Sequence, residues 1–444
     1  QKMHMVYTYA EDGTVTGYLN GQPVSVSGSN TRKLSDIPDY RNYIGRSTYL
    51  NDPPINFTMD EFRIWNGVLG AKEVAANYAS GPEEIPAGED KVDQLLINLA
   101  VLDLFTGEGL DANVIAHYTQ AGSVDVTGEA ELVSSDENVV VINGTRVIAV
   151  GPGVAEVSCT FENITATLEV SVTPESYLLA HRYSFDEDMS DSVGGADGTL
   201  FGSAAVNEGI LSLDGTGDRG SLTDGCFAAL PANIISGFPS FSVETWARAT
   251  EDKGVWTRLY DFGSCFINNE GRLDGGKNYN MVAWKSGEGN ALRSGTRVSG
   301  TEQAFNGPVM PIGDGVFQHV VYTYNSGTQT GTLYVNGVEA GKGTQKFNPT
   351  QFGDMPNMWL GKANFADPYF AGDYDELRIY RGAVSPLQVL ANYEAGPEEI
   401  GELDVLESLR ITAPQTEILR EGGLAVKVIA VYSTLGEIDI TETA

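Results

Sequence analysis

The chain repeats itself, and a period of about 315 residues constrains every fold it can take. His4-Met-Val-Tyr-Thr-Tyr9 returns as His319-Val-Val-Tyr-Thr-Tyr324, and Tyr18-Leu-Asn-Gly21 as Tyr334-Val-Asn-Gly337. Met59-Asp-Glu-Phe-Arg-Ile-Trp65 returns as Tyr374-Asp-Glu-Leu-Arg-Ile-Tyr380. Asn77-Tyr78 with Gly81-Pro-Glu-Glu-Ile85 returns as Asn392-Tyr393 with Gly396-Pro-Glu-Glu-Ile400. Further on, Gly109–Ala116 matches Gly423–Ala430, and Val124-Asp-Val-Thr127 matches Ile438-Asp-Ile-Thr441. The unit is therefore composite: a large domain of about 225 residues and a small one of about 85. The expected order is the second half of a large domain (1–85), a small domain (89–173), a complete large domain (177–398) and the start of a second small one (403–444). Half a large domain leaves open strand edges. The sequence is thus expected to be cut from a longer chain, or residues 1–85 borrow strands from a neighbour.

Both domains read as strands. In the large one, His181–Phe185, Phe241–Ala247, Arg258–Phe262, Phe317–Tyr324, Gly331–Val335 and Asp375–Tyr380 alternate with period two. Val335-Asn-Gly-Val338 predicts a two-residue hairpin turn, because Asn-Gly tolerates the positive φ angles required. Ser385 predicts a helix cap, Pro386 a first turn and Gly396 a left-handed stop; Ala71–Ala79 ends the same way at Gly81. In the small domain, Val114–Tyr118, Ala130–Ser134, Val139–Ile142, Val147–Val150, Ala155–Cys159 and Ala166–Val172 are expected strands. About seven in all suit an immunoglobulin-like sandwich.

Taken together, Tyr183-Ser-Phe-Asp-Glu187, Asp197-Gly-Thr-Leu200, Phe241-Ser-Val-Glu-Thr-Trp246, Gln318–Tyr324, Leu333–Gly337 and Tyr374–Tyr380 carry a family pattern. They resemble the laminin-G-like, concanavalin A-like jelly rolls of bacterial surface and secreted proteins. Val124–Thr127, Ser134–Val139, Asn143–Val147, Ala149–Ala155 and Leu168–Val172 resemble bacterial immunoglobulin-like domains. The expected fold is all-β: concanavalin A-like jelly-roll sandwiches alternating in tandem with immunoglobulin-like β-sandwiches. The jelly-roll resemblance implies calcium (Ca2+), held by Asp186, Asp191, Asp197 and Asp375. Calcium takes six to eight oxygens, and adjacent strands could gather them. The same resemblance implies occasional glycan binding. An exposed aromatic platform would be needed, for which Trp256, Trp284, Tyr279 and Trp359 are candidates.

A net charge of -33 argues against nucleic acid and anionic membranes as partners, since phosphates need clustered Lys and Arg. No apolar run approaches the length of a membrane span. Cys159, Cys226 and Cys265 fit no metal spacing; Cys226 and Cys265 could pair, or all three are small buried residues.

Catalytic patterns are missing. There is no Gly-x-Ser-x-Gly turn and no His-Glu-x-x-His. A glycosidase needs two facing carboxylates, whereas the consecutive Asp375 and Glu376 point to opposite faces of a strand. The chain is expected not to be an enzyme. The leading expectation is a structural or adhesive extracellular repeat protein at a cell surface, part of a long fibre or stalk. Its partners would be neighbouring copies of the repeat. A calcium-dependent carbohydrate-binding adhesin is the alternative, with glycans as partners. A glycoside hydrolase accessory region is a minor one.

Overall fold

The computed structural model describes residues 2–10, 12–27, 43–47, 51–85, 91–119, 121–402, 406–413, 426–432 and 436–441. The chain forms two compact units. One holds Gln1–Leu102, Asp111–Val147 and Val154–Ser171; the other holds Asp103–Leu110, Ile148–Gly153 and Val172–Ala444.

The second unit contains the complete jelly roll. Its strands are β1 (Tyr177–Tyr183), β2 (Thr199–Phe201), β3 (Ala205–Asn207), β4 (Ile210–Asp214), β5 (Phe227–Leu230), β6 (Phe241–Glu251), β7 (Thr257–Ile267) and β8 (Leu273–Lys285). They continue as β9 (Ala291–Arg297), β10 (Gln303–Val309), β11 (Gln318–Asn325), β12 (Thr330–Val335), β13 (Val338–Thr344), β14 (Asn357–Leu360) and β15 (Ala371–Gly382). One sheet runs β3-β4-β15-β6-β11-β12-β13, with β1 also paired to β15. The other runs β2-β5-β14-β7-β8-β9-β10. Period-two alternation sends Phe241, Val243, Tyr260, Phe262, Tyr322, Tyr324, Leu377 and Ile379 into one buried cluster between the sheets.

The turn and helix expectations hold in detail. Asn336 and Gly337 have φ of 51° and 79°, and the equivalent Asn20 and Gly21 have 51° and 83°. The helix Pro386–Ala395 is capped by Ser385, whose hydroxyl accepts the Gln388 N–H, and ends at Gly396 with φ 86°. Its Val389 packs on Val321, Tyr334, Tyr380 and Val384, covering the outer face of the first sheet.

Beneath that helix lies a buried polar cluster. Glu244 accepts from His319 Nε2 at 2.8 Å, from the Tyr380 hydroxyl at 2.7 Å and from the Asn392 amide at 2.9 and 3.0 Å. Arg378 lies 3.5 Å away, donates to Glu376 at 2.8 Å and caps the linker carbonyls of Pro397 and Glu399. Trp246 packs tilted against His319 and lies under the Arg378 guanidinium. Burial by itself would raise the Glu244 carboxyl. His319, Arg378 and Tyr380 outweigh it and hold the group below its ordinary value.

In the first unit, Met5–Tyr9, Val15–Leu19 and Gln22–Ser27 form a three-stranded sheet, followed by the helix Ala71–Ser80. Val92–Asn98, Asn113–Tyr118 and Gly122–Asp125 form another antiparallel sheet, and Leu132–Ser134 pairs with Gly153–Phe161. Near the C-terminus, Leu406–Thr412, Lys427–Tyr432 and Gly436–Asp439 pair antiparallel. Gly423, at the start of the predicted repeat match, lies outside the described residues.

Replacing Glu244 with Ala removes the buried acceptor of His319, Tyr380 and Asn392 and one of the two carboxylates beside Arg378. We expect a loss of about 3–5 kcal/mol, read as a lower urea midpoint. An unchanged midpoint would contradict the role given to this carboxylate.

Candidate functional site

The four acids expected to hold calcium do not form one oxygen shell. Asp191 is buried, and its oxygens are already taken. Oδ1 accepts the backbone N–H groups of Arg182, Val193 and Gly194 at 2.9, 3.1 and 3.0 Å. Oδ2 accepts from Ala196 N at 3.0 Å and bonds His181 Nδ1 at 2.7 Å. Burial opposes ionisation, but these contacts hold the carboxyl down at about 2. Asp197 accepts the Asp191 N–H at 2.9 Å. Both are loop organisers, and a metal does not fit at Asp191. Asp186 takes the Ser184 hydroxyl at 2.7 Å and stands within electrostatic range of Asp375. Burial first, then the charges of Glu398, Glu376 and Asp186, push Asp375 up to about 6 against the pull of Arg248. Among the described residues no group of three or more His, Cys, Asp or Glu could hold a metal ion.

The aromatic expectation is corrected at three of four positions. Trp284 lies between the sheets and donates its indole N–H to the Pro311 carbonyl at 3.1 Å. Tyr279 and Trp359 stand on the outer face of the second sheet, but neighbours bury them. Phe365 meets the Tyr279 ring at 5.4 Å, and Phe227 and Lys362 lie against Trp359. Large rings in mid-sheet are covered because leaving them wet forfeits about 1.5–3 kcal/mol each. A sugar cannot stack on any of the three.

Trp256 differs. It is half-buried and sits just before β7 with φ 70°, a left-handed backbone that bulky residues rarely adopt. The conformation is held on several sides. Its N–H donates to Lys285 O at 2.6 Å, and its carbonyl accepts from Arg258 at 2.7 Å. Its indole lies so close to Gly287 that a β-carbon there would come within 2.9 Å of the ring. The Arg258 and Arg293 guanidinium carbons lie 5.5 and 5.9 Å from the ring centre. The indole N–H has no hydrogen-bond partner among the described residues.

Register places the polar surroundings. Arg258 pairs across to Ala283 and that to Arg293, one row of the outer face. Arg258 donates to Asp367 at 2.9 Å and lies 3.4 Å from Asp261. Arg293 pairs with Glu288 at 2.8 Å and Glu302 at 3.0 Å. Asp261 is wholly buried and accepts from the Asn364 amide and N–H at 2.8 and 2.9 Å. Burial pushes it up to about 6 in spite of Arg258. Burial likewise lowers Lys362 to about 8; its ammonium donates to Ser221 O at 2.8 Å and to the Tyr369 hydroxyl. Asp261 with Asp367 is a carboxylate pair, yet Asp261 has no access to a substrate. The surface that remains around Trp256 offers a ring face, a free indole N–H, the partly exposed Arg293 guanidinium and carboxylate acceptors; Arg258 itself is buried. The Trp256 backbone and the Arg258 and Arg293 pairing were not visible in the sequence. The nearest signal was Arg258 opening an otherwise apolar strand.

All three cysteines are free. Cys226 is buried against the Asp214 N–H, and Cys265 faces the Asn357 amide, so the possible Cys226–Cys265 bridge is not formed. Burial raises both thiols.

The profile of the concanavalin A-like lectin/glucanases superfamily matches residues 3–75 and 222–390, more than half of the chain. No curated protein matches the sequence. Among solved structures, domain 4 of AbnA, a GH43 extracellular arabinanase from Geobacillus stearothermophilus in complex with arabinotriose, is 28% identical. That alignment covers 49% of this chain and 98% of the other, with a TM-score of 0.35. The Ruminococcus gnavus IT-sialidase CBM40 bound to alpha2,3 sialyllactose is 14% identical over 35% of this chain and 82% of its own, at 0.29. Botulinum neurotoxin type C, whose cell entry depends on two ganglioside molecules, is 13% identical over 53% of each chain, at 0.35.

The raised Asp375 carboxyl gives a signed pH prediction. Folding favours its neutral form, so its contribution to stability falls as pH rises from the ordinary 3.8 towards about 6. Asp375→Asn should therefore melt higher than the parent at about pH 7 and close to it at about pH 4. Equal differences at both values, measured by calorimetry, would refute the assignment.

Proposed function

The chain belongs to the concanavalin A-like lectin/glucanases superfamily, and from that premise we propose that it is an extracellular adhesive repeat protein whose jelly roll binds glycans without catalysis. One observation carries the reading: Trp256, half-exposed, locked in a left-handed backbone and flanked by two guanidinium groups. Backbone strain in a bulky side chain persists only where the surroundings enforce it, and it gathers at binding sites. A sugar presents an apolar C–H face to the indole. Its ring hydroxyls meet Arg293, Glu288 and the indole N–H. The absence of catalysis in this proposal is supported by the burial of Asp261, whose hydrogen bonds to Asn364 keep it from serving as the acid on a glycosidic oxygen.

A structural role in a fibre or stalk is a compatible second reading, favoured by the duplicated domain parts. His4, Asn20 and Tyr78 repeat the contacts made by His319, Asn336 and Tyr393. The His4 N–H reaches Asn20 at 3.0 Å and the His319 N–H reaches Asn336 at 2.9 Å. Each ring pair, His4–Tyr78 and His319–Tyr393, is 5.8 Å apart. In this reading the strands at 92–173 are an immunoglobulin-like spacer. Calcium enters the proposal only at Asp186 and Asp375, where a cation would relieve carboxylate repulsion.

Screening the chain on a glycan array identifies the ligand. Trp256→Ala is then expected to weaken binding by about 2 kcal/mol or more, roughly 30-fold, with the melting temperature nearly unchanged. A blank array, or full binding by the variant, would remove the glycan reading. Separately, calcium at about 1 mM should raise the melting temperature of the parent but not of Asp375→Asn. No shift in the parent would discard calcium.

A further inference from the structure

The arginines beside Trp256 are engaged by the protein's own acceptors. A guanidinium grips a carboxylate best through two parallel N–H bonds from one edge. At Arg293, Nη1 donates to Glu288 at 2.8 Å and to Asn306 at 3.1 Å, and Nη2 donates to Glu302 at 3.0 Å. Its Nε is buried. A single N–H, on Nη2, is left over. Arg258, itself buried, gives Nη1 to the Trp256 carbonyl at 2.7 Å and Nη2 to Asp367 at 2.9 Å, and its Nε lies 3.4 Å from Asp261. In both residues the edge that a sugar carboxylate would take is already occupied.

The occupation of Arg293 is built into the sheet. Arg293 stands opposite Asn306 across β9 and β10. Two residues further along β9, Gly295 keeps the path open for Glu302: a β-carbon there would come within 2.9 Å of Glu302 Oε2. Glu302 crosses above it, accepts from the Tyr279 hydroxyl through Oε2 at 2.7 Å and gives Oε1 to Arg293. Glu288 approaches from the turn between β8 and β9, where the Ser286 hydroxyl donates to the Glu288 carbonyl at 2.9 Å. The Glu288 and Glu302 side chains are 62% and 27% exposed, against 12% for Arg293. Beside the indole, solvent therefore meets carboxylate more than guanidinium. An anion brought to this place meets like charge at short range, where the protein partly excludes screening water.

We propose that the Trp256 surface selects neutral glycans over carboxylated ones, and that Glu288 and Glu302 set this selectivity by holding Arg293. The inference rests on the glycan reading above and names its substrate class. A neutral sugar can use what remains. The indole face takes its C–H groups, the indole N–H and the remaining Arg293 N–H take hydroxyl oxygens, and Glu288 accepts a hydroxyl proton. A uronate carboxylate needs two adjacent N–H donors, and to reach them it has to displace Glu288 or Glu302. That exchanges one carboxylate for another without gain, and the expelled charge stays close by on its own strand or turn.

The test is an array that sets neutral sugars beside their acidic counterparts: galactose oligomers beside galacturonate oligomers, and mannose oligomers beside mannuronate oligomers. The full chain is expected to bind neutral members, to lose that binding with Trp256→Ala, and to bind the acidic counterparts at least about 10-fold more weakly. Glu302→Gln removes one of the two charges held against Arg293 and keeps an oxygen for the Tyr279 hydroxyl. It should raise the acidic-to-neutral affinity ratio by about 10-fold. Because a ratio is read, a smaller folded fraction of the variant does not change it. Acidic members that bind through Trp256 as well as neutral ones, or a ratio unmoved by Glu302→Gln, would overturn the selectivity and leave the glycan reading standing. No binding to any member, or binding that survives Trp256→Ala, removes the glycan reading and this inference with it.

Discussion

A single buried carboxylate ties the jelly roll together. Glu244 sits in the middle of a central strand, away from water, where an unpaired charge could not survive. It persists because four groups from three other elements point at it: His319 on β11, Arg378 and Tyr380 on β15, and Asn392 on the helix. The helix can dock only where Asn392 meets this group. Arg378 then reaches on to the carbonyls of Pro397 and Glu399, so the exit path of the chain is fixed by the same charge. This accounts for the scattered motifs that recur in the sequence. His, Asp-Glu-x-Arg-Ile, Asn-Tyr and Gly-Pro-Glu-Glu-Ile are remote from one another along the chain but belong to one hydrogen-bonded cluster.

The opposite sheet solves a different problem. Among the described residues no helix covers its outer face, yet it bears Arg258, Asp261, Tyr279 and Trp359. The segment 362–369 folds over these groups and satisfies them: Asn364 bonds Asp261, Asp367 pairs with Arg258, and Tyr369 bonds Lys362. Covering the face costs the ionised form of Asp261, whose carboxyl is pushed up, and leaves Trp256, of the four candidate rings, partly open to solvent at the edge. The same packing that excludes three aromatic candidates therefore isolates the fourth.

Much of this was legible before the structure. Period-two runs located the principal strands, and Asn336-Gly337, Ser385, Pro386 and Gly396 located a turn and a helix, because those features are local and depend on φ preferences. Burial was not legible. Trp284, Tyr279 and Trp359 each look like any strand aromatic, and only register and the folding back of 362–369 decide which are covered. Asp191 misled for a related reason. An acid in a Gly- and Ser-rich loop suggests a cation ligand, yet the backbone N–H groups of its own loop compete for the same lone pairs and win by proximity. Glu244 was read only as part of a family pattern, since nothing local shows that four distant donors converge on it.

The hairpin Asn-Gly turns carry a further meaning for durability. In this dipeptide the unhindered glycine nitrogen readily attacks the asparagine side-chain carbonyl, closing a succinimide with loss of ammonia, which water then opens to an acid. At Asn336 that carbonyl is held by the His319 N–H at 2.9 Å, and the amide nitrogen by Gln318 at 2.9 Å. Asn20 has the same tether to the His4 N–H. Cyclisation requires the side chain to leave these partners and swing towards glycine. The bond that sets the hairpin thus also acts as a brake on chemical ageing, at the dipeptide where ageing is fastest.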